Sequence, residues 1–328
     1  MEAKGVILNI IVLILVFSIL TNSVTAENNY DLTIAFVPRS LDNPIFLDTF
    51  VHSQDKALEL GVRLEWVAPF SFSTEGQIEV IENLIRREVD GMIVSVNDVE
   101  PIHDVISKAV DQGITVATFD ADSPGSERLF HIGIDNRKAG LAIGKALVDV
   151  LRQKGIDDQE LDIMILTGSA DALNLQERIY GFLQATLDEV DLKVNDVLEN
   201  HDDLKLAINL VENYVKENPD IDIIYFVGGW PFYVPAEAMP NYQKWAQNDG
   251  TAVGIDIFYN ALMLQEEGLI DYLIGQDFAS MGSVGLEYMA NYIRYGSNPP
   301  EFIETGLEHA NDENLQELLR IHKPWSVK

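Results

Sequence analysis

The chain contains no cysteine at any of its 328 positions. This absence excludes disulfide bonds, thiolate metal sites and cysteine nucleophiles. It also excludes a lipoprotein anchor, because such an anchor needs a cysteine directly after an apolar leader. We therefore expect a chain that is not lipid-anchored.

Basic residues are scarce. The sequence has 22 Lys and Arg against 53 Asp and Glu, which gives a formal net charge of −31. This charge argues against nucleic acid and anionic lipid as partners. The acids are dispersed along the chain and do not form a tail, which is typical of a solvated surface.

Common catalytic signatures are missing as well. The sequence has no Gly-x-Ser-x-Gly elbow, no Gly-Lys-Ser/Thr phosphate loop and no Gly-x-Gly-x-x-Gly after the first strand. The six histidines, at positions 52, 103, 131, 201, 309 and 322, show no metal-binding spacing. We expect no enzyme, no cofactor and no metal, although Asp120 and Asp256 leave a glycosidase-type carboxylate pair open as an alternative.

One long apolar run stands at the start of the sequence. Lys4 precedes the run 6–20, and Val24-Thr25-Ala26 follows it. This layout predicts a secretory signal peptide at 1–26, because the run is shorter than the roughly 20 residues of a membrane-spanning helix. An uncleaved anchor is the alternative. Cleavage would leave a secreted chain of about 300 residues, periplasmic or extracellular, which is long enough for two domains.

The rest of the sequence alternates short Val- and Ile-rich runs with longer amphipathic stretches, a pattern typical of βαβ units and parallel sheets. Strands are predicted at 32–37, 62–67, 91–96, 114–119, 129–134, 162–166, 192–197, 221–227 and 251–255. Helices are predicted at 44–60, 75–88, 101–112, 137–154, 172–189, 203–217 and 258–267. The pattern restarts after residue 135, which predicts two α/β lobes.

Polar and aromatic side chains follow the ends of these predicted strands. Ligands of open α/β sheets bind outside the carboxyl ends of the strands. Carboxylates accept hydrogen bonds from neighbouring hydroxyls, an arginine donates a fork of them, and aromatic faces cover the C–H surface of a sugar ring. The candidate ligand-binding residues are Asn43, Phe46, Asp120, Arg178, Trp230, Asp256 and Gln276.

Each candidate also has a structural alternative. Asn43 precedes Pro44 and would serve as a helix cap, while Phe46 would pack in the core. Asp120 and Asp256 would serve as turn residues, Trp230 as a core residue and Gln276 as an anchor between lobes. Arg178 would pair with Asp171 or Glu177 on a helix surface.

Four local patterns are similar to those of a known family. They are the loop 40–46 (Ser-Leu-Asp-Asn-Pro-Ile-Phe), Asp120 at a strand end, the run 178–182 (Arg-Ile-Tyr-Gly-Phe), and the late pair 254–256 (Gly-Ile-Asp) with 275–277 (Gly-Gln-Asp). With these patterns in this order along the sequence, the chain resembles the type I periplasmic sugar-binding proteins, the ribose- and galactose-binding group. The ligand domain of that family is shared with lac-repressor-type regulators. The resemblance covers about residues 31–308.

The resemblance implies a fold and a function. It implies two Rossmann-like lobes with parallel sheets, joined by a three-strand hinge with the ligand cleft between them. The matching residues Asn43, Phe46, Asp120, Arg178, Asp256 and Gln276 would line that cleft. The protein would be a monomer that captures a sugar or polyol and delivers it to an ABC permease. The alternative is a sensor that presents a sugar-like signal to a kinase or chemoreceptor.

Some positions depart from the ribose-binding pattern. Ala121 stands where ribose binders place an arginine, and Ser95 and Gly228 stand near positions where they place asparagines. These departures predict a different or larger polyol, or a modified sugar, with Trp230 supplying stacking in place of the missing amide. The family's aromatic after the sixth strand would fall near 200–202.

The resemblance also predicts the path of the chain between the lobes. We expect crossings near 134–135, 276–277 and 305–307. The first lobe would contain 31–134 plus 277–305, and the second would contain 135–276 plus 306–328. A ligand that touches both lobes would bind the closed arrangement better than the open one and so drive hinge closure.

Overall fold

Two six-stranded sheets organise the molecule in a computed structural model that describes residues 30–323. The predicted signal peptide at 1–26 and residues 324–328 of the predicted second lobe lie outside the described residues. The strands are β1 (Thr33–Val37), β2 (Arg63–Trp66), β3 (Gly91–Val94), β4 (Thr115–Phe119), β5 (His131–Gly133), β6 (Glu160–Thr167), β7 (Asp191–Glu199), β8 (Ile223–Phe226), β9 (Thr251–Ile255), β10 (Tyr272–Gln276), β11 (Phe302–Glu304) and β12 (Leu307–Ala310).

The first sheet has the order β11-β5-β4-β3-β1-β2, and all its neighbouring strands are parallel. The second sheet has the order β12-β10-β9-β8-β6-β7 and is parallel except for the antiparallel pair β10 and β12. We call the part of the chain built on each sheet the first lobe and the second lobe. The predicted class, two α/β lobes with parallel-dominated sheets, is confirmed.

Helices cover both faces of the sheets. They are α1 (Leu47–Leu60), α2 (Thr74–Arg86), α3 (Val99–Asp111), α4 (Asn136–Lys154), α5 (Leu173–Thr186), α6 (Leu204–Glu217), α7 (Pro240–Gln247), α8 (Tyr259–Glu266), α9 (Phe278–Tyr295) and α10 (Leu315–Ile321). None of the helices within residues 30–323 has the length and apolar character needed to cross a membrane.

Alternation along the strands explains why both sheet faces are covered. In β1, Ile34 and Phe36 belong to one buried cluster, and Ala35 and Val37 belong to another on the opposite face. A parallel sheet buried on both faces needs apolar side chains pointing both ways. The Val- and Ile-rich runs of the sequence meet this requirement.

Every strand and helix predicted above is present, with ends that shift by up to three residues. Prediction missed β10, β11, β12, α7, α9 and α10. The chain passes between the sheets three times, from β5 to α4 and β6, from β10 to α9 and β11, and from β11 to β12. Aspartates cap the helices at the first two passages, since Asp135 accepts from the N–H of Lys138 and Asp277 from that of Ser280, both at 2.9 Å.

Helices α4 and α5 pack closely because glycines face each other. A Cβ atom at Gly140 would lie 2.1 Å from the carbonyl oxygen of Arg178, and one at Gly181 would lie 2.3 Å from that of Arg137. The backbones therefore approach to a distance that no larger residue permits. The backbone of Arg178 lies at this contact, and α4 begins directly after the first passage between the sheets. The contact therefore fixes the position of the Arg178 backbone relative to that passage.

A buried polar cluster lies near the same passage. Asp122 accepts from Arg128 Nε at 2.5 Å and from Arg128 Nη2 at 2.7 Å. His131 on β5 is 6% exposed, lies 3.0 Å from the hydroxyl of Thr118 and stacks on Phe302 of β11. Burial lowers the pKa of His131 to about 4, and the nearby charge of Asp122 only partly offsets this effect. His131 is therefore neutral at neutral pH.

We expect Gly140→Ala to destabilise the fold. Alanine gains about 1 kcal/mol of helix propensity, but its methyl group would meet rigid backbone, so we expect a net loss on the order of 1–3 kcal/mol. Urea unfolding measures the change. Gly306→Ala is the control, because no atom lies within 4 Å of a Cβ there. Equal midpoints for wild type and Gly140→Ala would contradict the close packing.

We also expect His131 to make stability depend on pH. Its pKa is near 6.5 in the unfolded chain and about 4 in the fold, so between these values the unfolded chain binds the extra proton. The free energy of unfolding should therefore fall by about 2 kcal/mol from this group as the pH drops from roughly 6.5 to 4.5. Chemical unfolding of wild type and His131→Gln at each pH measures the difference. Identical slopes in the two proteins would disprove this effect.

Candidate functional site

All seven predicted site residues line one cavity of about 40 Å³ between the lobes. Asn43, Phe46 and Asp120 come from the first lobe, and Arg178, Trp230 and Asp256 come from the second. Gln276 ends β10 at the second passage between the sheets. The other lining residues are Arg39, Ile45, Asn174, Leu175, Asp202, Gly229, Tyr233 and Phe278.

Two aspartates stand directly after strands in the left-handed backbone region. Asp120 follows β4 with φ 57° and Asp256 follows β9 with φ 91°. Non-glycine residues rarely adopt these angles, and such strain is concentrated at functional sites. The turns aim both carboxylates at the same cavity.

Asp256 is held from two sides. Its Oδ2 accepts from the backbone N–H of Gly229 at 2.8 Å, and its Oδ1 accepts from Gln276 Nε2 at 2.7 Å. The side chain is buried. These bonds fix the carboxylate and leave further lone pairs for hydroxyl groups.

Asp120 lies among positive charges. Its Oδ2 accepts from the hydroxyl of Ser95 at 2.9 Å. Burial raises the pKa of Asp120 above its usual range, and the charges of Arg178 and Arg39 oppose that rise. Ser95, which departs from the family pattern, thus positions Asp120.

Arg178 is buried and held by two acceptors. Its Nε donates to Asn136 Oδ1 at 2.8 Å and its Nη1 donates to the carbonyl oxygen of Val227 at 3.0 Å. The alternative surface pairing with Asp171 or Glu177 is therefore wrong, because Arg178 is only 3% exposed. A guanidinium has five N–H donors, so others remain for a ligand.

Asn43 and Phe46 have structural roles in addition to lining the cavity. Asn43 Oδ1 accepts from the N–H of Ile45 at 3.2 Å, which caps the 3₁₀ turn Pro44–Phe46. Phe46 is buried and packs edge-to-face on Phe119 and Phe278. Both structural alternatives are confirmed, and both side chains still face the cavity.

Trp230 occupies space that two glycines leave free. A Cβ atom at Gly168 or Gly228 would lie 2.7 or 2.8 Å from its ring. Trp230 Nε1 donates to Asp202 Oδ1 at 2.8 Å. The glycine at 228, another departure from the family pattern, is thus required by the indole.

Prediction missed four polar residues of the cavity, Arg39, Asn174, Asp202 and Tyr233. Arg39 follows β1 and forms a buried ion pair with Asp202, with Nη2 and Oδ2 2.9 Å apart. Asp202 lies in the segment 200–202, where the resemblance placed an aromatic. Burial, and next the charge of Asp256, raise the pKa of Tyr233, which keeps its hydroxyl protonated. The available signals were the positions of Arg39 and Asp202 shortly after strands β1 and β7.

Several polar atoms of the cavity wall have no hydrogen-bond partner within residues 30–323. They are Arg39 Nε, Asp202 Oδ2, Tyr233 Oη and Gln276 Oε1. Buried polar atoms are nearly always hydrogen-bonded in native proteins. The cavity therefore presents both donors and acceptors to a polar ligand.

A larger cleft of about 900 Å³ adjoins this cavity and shares Asp120, Asn174 and Asp202 with it. Its wall carries further acids, namely Asp98, Glu100, Asp122, Asp135, Asp171 and Glu177. Only Asp120 of the seven predicted residues lines it. The smaller cavity is the candidate site although it has the smaller volume, because all seven predicted side chains converge on it. No cluster able to hold a metal ion occurs within residues 30–323.

Comparison with known proteins is consistent with this geometry. The D-ribose/D-allose-binding protein of Pseudomonas aeruginosa is 26% identical over 209 residues, which cover 61% of this chain and 63% of that protein. The match thus spans less than two thirds of that relative. The ribose import binding protein of Escherichia coli is 23% identical over 255 residues, 78% of this chain and 82% of that protein.

Solved structures share the two-lobed architecture. An ABC transporter solute-binding protein from Burkholderia graminis, in complex with D-arabinose, superposes with a TM-score of 0.79 at 27% identity, covering 87% of this chain and 96% of that one. A glucose-galactose binding protein from Geobacillus stearothermophilus superposes with a TM-score of 0.77 at 25% identity, covering 87% and 98%. These proteins are described as binding or transport components, in agreement with the prediction that the chain is not an enzyme.

A family model described as a periplasmic binding protein domain matches residues 34–297, most of the chain. The match includes the strand ends that carry all seven predicted site residues. The chain belongs to the periplasmic binding protein domain family.

Proposed function

We propose that this protein is an extracytoplasmic solute-binding protein that captures a sugar or polyol by hinge closure and delivers it to an ABC importer. The observation that carries the proposal is the convergence of strand-end side chains from both lobes on one buried polar cavity. A ligand seated there would contact both lobes at once. Relatives named for ribose, allose and arabinose binding, and for import, support this function over the sensory alternative.

The chemistry of the wall suits neutral hydroxyl-rich ligands. Asp256 and Asp120 accept hydrogen bonds from hydroxyls, and Arg178 donates to ring or hydroxyl oxygens. Trp230 and Phe46 offer apolar faces to the C–H surface of a ring. The same side chains would serve as the ligand-binding residues, together with Asn43 and Gln276.

The size of the cavity supports a moving hinge. A volume of about 40 Å³ is far below the roughly 300–1,000 Å³ of common ligand pockets. A sugar would therefore enter while the lobes are apart and be enclosed when they close. We place the hinge at the three passages, with the first lobe at 31–134 plus 277–305 and the second at 135–276 plus 306–328. The sheet to which each strand within residues 30–323 belongs supports this division.

The ligand need not be ribose. Ala121 lacks the guanidinium that ribose binders use, and Gly228 leaves room for the Trp230 ring instead of supplying an amide. Compared with the ribose-binding pattern, the wall thus offers more aromatic surface for stacking and fewer amide groups for hydrogen bonds. This difference favours binding of a different or larger polyol, or of a modified sugar.

The proposal also covers the location of the protein and its partner. Removal of the signal at 1–26 would release the chain into the periplasm or the extracellular space without a lipid anchor. The acidic surface suits a soluble monomer. Its partner in import would be an ABC permease that recognises the closed form.

Thermal-shift screening tests the function, because a ligand that binds only the folded state raises the melting temperature. The panel contains pentoses, hexoses, inositols, sugar alcohols and the furanose autoinducer-2, added to the chain from Glu27 onward. We expect a selective upward shift with at least one of these compounds. A folded sample that responds to none of them would contradict the proposed function.

Asp256→Asn should weaken binding of the compound that responds in this screen. Asparagine tolerates the left-handed backbone at this position. Its side chain has only one acceptor oxygen, whereas Gly229 N–H and Gln276 Nε2 now donate to two different oxygens of Asp256. Fewer acceptor sites would therefore remain for the hydroxyls of the ligand. We expect a loss of about 2–4 kcal/mol by isothermal titration calorimetry. Asp188→Ala, at an exposed position, is the control. Unchanged affinity in Asp256→Asn would remove Asp256 from the site.

A further inference from the structure

Arg39 and Asp202 form an ion pair that joins the two lobes inside the candidate site. Arg39 Nη2 lies 2.9 Å from Asp202 Oδ2, and the two side chains are only 7% and 5% exposed. Arg39 follows β1 of the first sheet, and Asp202 follows β7 of the second. Burying two charges is costly unless other contacts stabilise the pair. Neither residue was predicted as part of the site.

The backbone around Asp202 is strained in a way that directs the carboxylate into the cleft. His201 and Asp202 are consecutive non-glycine residues with φ of 51° and 58°. The N–H of Asp202 donates to Asn200 Oδ1 at 2.9 Å, and that of His201 donates to the carbonyl oxygen of Gly168 at 2.7 Å. Such strain costs on the order of 1–3 kcal/mol per residue and persists where the surroundings enforce it.

Arg39 is equally well held. Its carbonyl oxygen accepts from Asn97 Nδ2 at 3.2 Å, and its guanidinium lies 5.0 Å from the centre of the Phe72 ring. On the opposite side, Trp230 Nε1 donates to Asp202 Oδ1. The ion pair thus has a fixed place between an aromatic residue of each lobe.

The fixed pair still has unused hydrogen-bonding capacity. Within the part of the chain that the structure describes, Arg39 Nε and Asp202 Oδ2 are buried without a hydrogen-bond partner, although Nη2 and Oδ2 lie 2.9 Å apart as an ion pair. A single hydroxyl group accepts one hydrogen bond and donates another. It therefore satisfies both atoms at once, which neither a methylene nor an aromatic face does.

We propose that Arg39 and Asp202 form a hydroxyl-binding subsite that determines which sugar the cleft accepts. The proposal deepens the proposed function and rests on it. Where the resemblance places an aromatic that covers the face of a sugar ring, this chain places a donor and an acceptor from opposite lobes. A sugar with a hydroxyl at that position is bound, whereas its deoxy counterpart leaves Arg39 Nε without a hydrogen-bond partner and Asp202 Oδ2 with the ion pair alone.

Calorimetric titration of matched sugars and variants tests the subsite. The probes are D-ribose, D-xylose, D-arabinose, D-allose and D-galactose, followed by the mono-deoxy analogues of whichever probe binds most tightly. The variant is Asp202→Asn, since asparagine tolerates the left-handed backbone. Asp162→Asn is the control, because Asp162 forms an equally short ion pair with Lys193 at an exposed position.

We expect Asp202→Asn to weaken binding of the tightest probe about 10- to 100-fold. One mono-deoxy analogue should bind wild type more weakly by a similar factor and lose little further affinity in the variant. This coupling between a single hydroxyl and Asp202 is the specific result that a merely structural role would not produce. Asp162→Asn should bind like wild type.

The alternative outcomes separate the two proposals. If a probe binds wild type and Asp202→Asn equally well, or if every deoxy analogue loses further affinity in the variant, the subsite is disproved and the sugar-binding function stands. If neither these probes nor any compound of the thermal-shift panel binds the folded wild type, both proposals are contradicted. Circular dichroism checks folding, and Arg39→Met combined with Asp202→Asn replaces the variant if the single change unfolds the chain, because it leaves no lone buried charge.

Discussion

Charge buried at the facing edges of two parallel sheets is the constraint on which this site depends. Parallel strands bring their carboxyl ends to one edge, and here those edges carry Asp120, Asp202 and Asp256 in left-handed backbone. Isolated buried carboxylates are costly, so each is held by donors, including Arg39, Trp230 and Gln276. Of these donors only Arg39 lies on the opposite lobe from the carboxylate that it holds, so the charge of Asp202 is fully compensated only when the lobes are in contact.

Sequence reasoning succeeded where information is local. Val- and Ile-rich runs marked the strands, and side chains just after them, such as Asp120 and Asp256, converge as parallel topology requires. It missed α9, whose glycines weaken helix propensity but allow contact, since a Cβ at Gly282 would lie 2.3 Å from the carbonyl oxygen of Thr49. It also missed the partnership of Arg39 with Asp202, because these residues are far apart in sequence and meet only through the turn after β7.

Several residues combine a structural role with a place in the cavity wall. Asn43 caps a turn, Phe46 packs between aromatic rings, and Gln276 fixes Asp256, yet all three face the cavity. A preformed wall of this kind lowers the ordering cost of binding, because the side chains already occupy their places. Under the proposed closure, the three passages between the sheets would carry the movement, because each half of the wall is attached to its own sheet.

Closure of the lobes around a ligand is the central claim, and the distance between the lobes tests it most directly. The chain has no cysteine, so Phe70→Cys on the first lobe and Leu187→Cys on the second, both at exposed positions, accept a fluorophore pair without side reactions. Single-molecule energy transfer should show the two labels moving to a new, narrower distance distribution when the sugar identified by thermal shift is added. Binding of that sugar with an unchanged distance distribution would contradict the account.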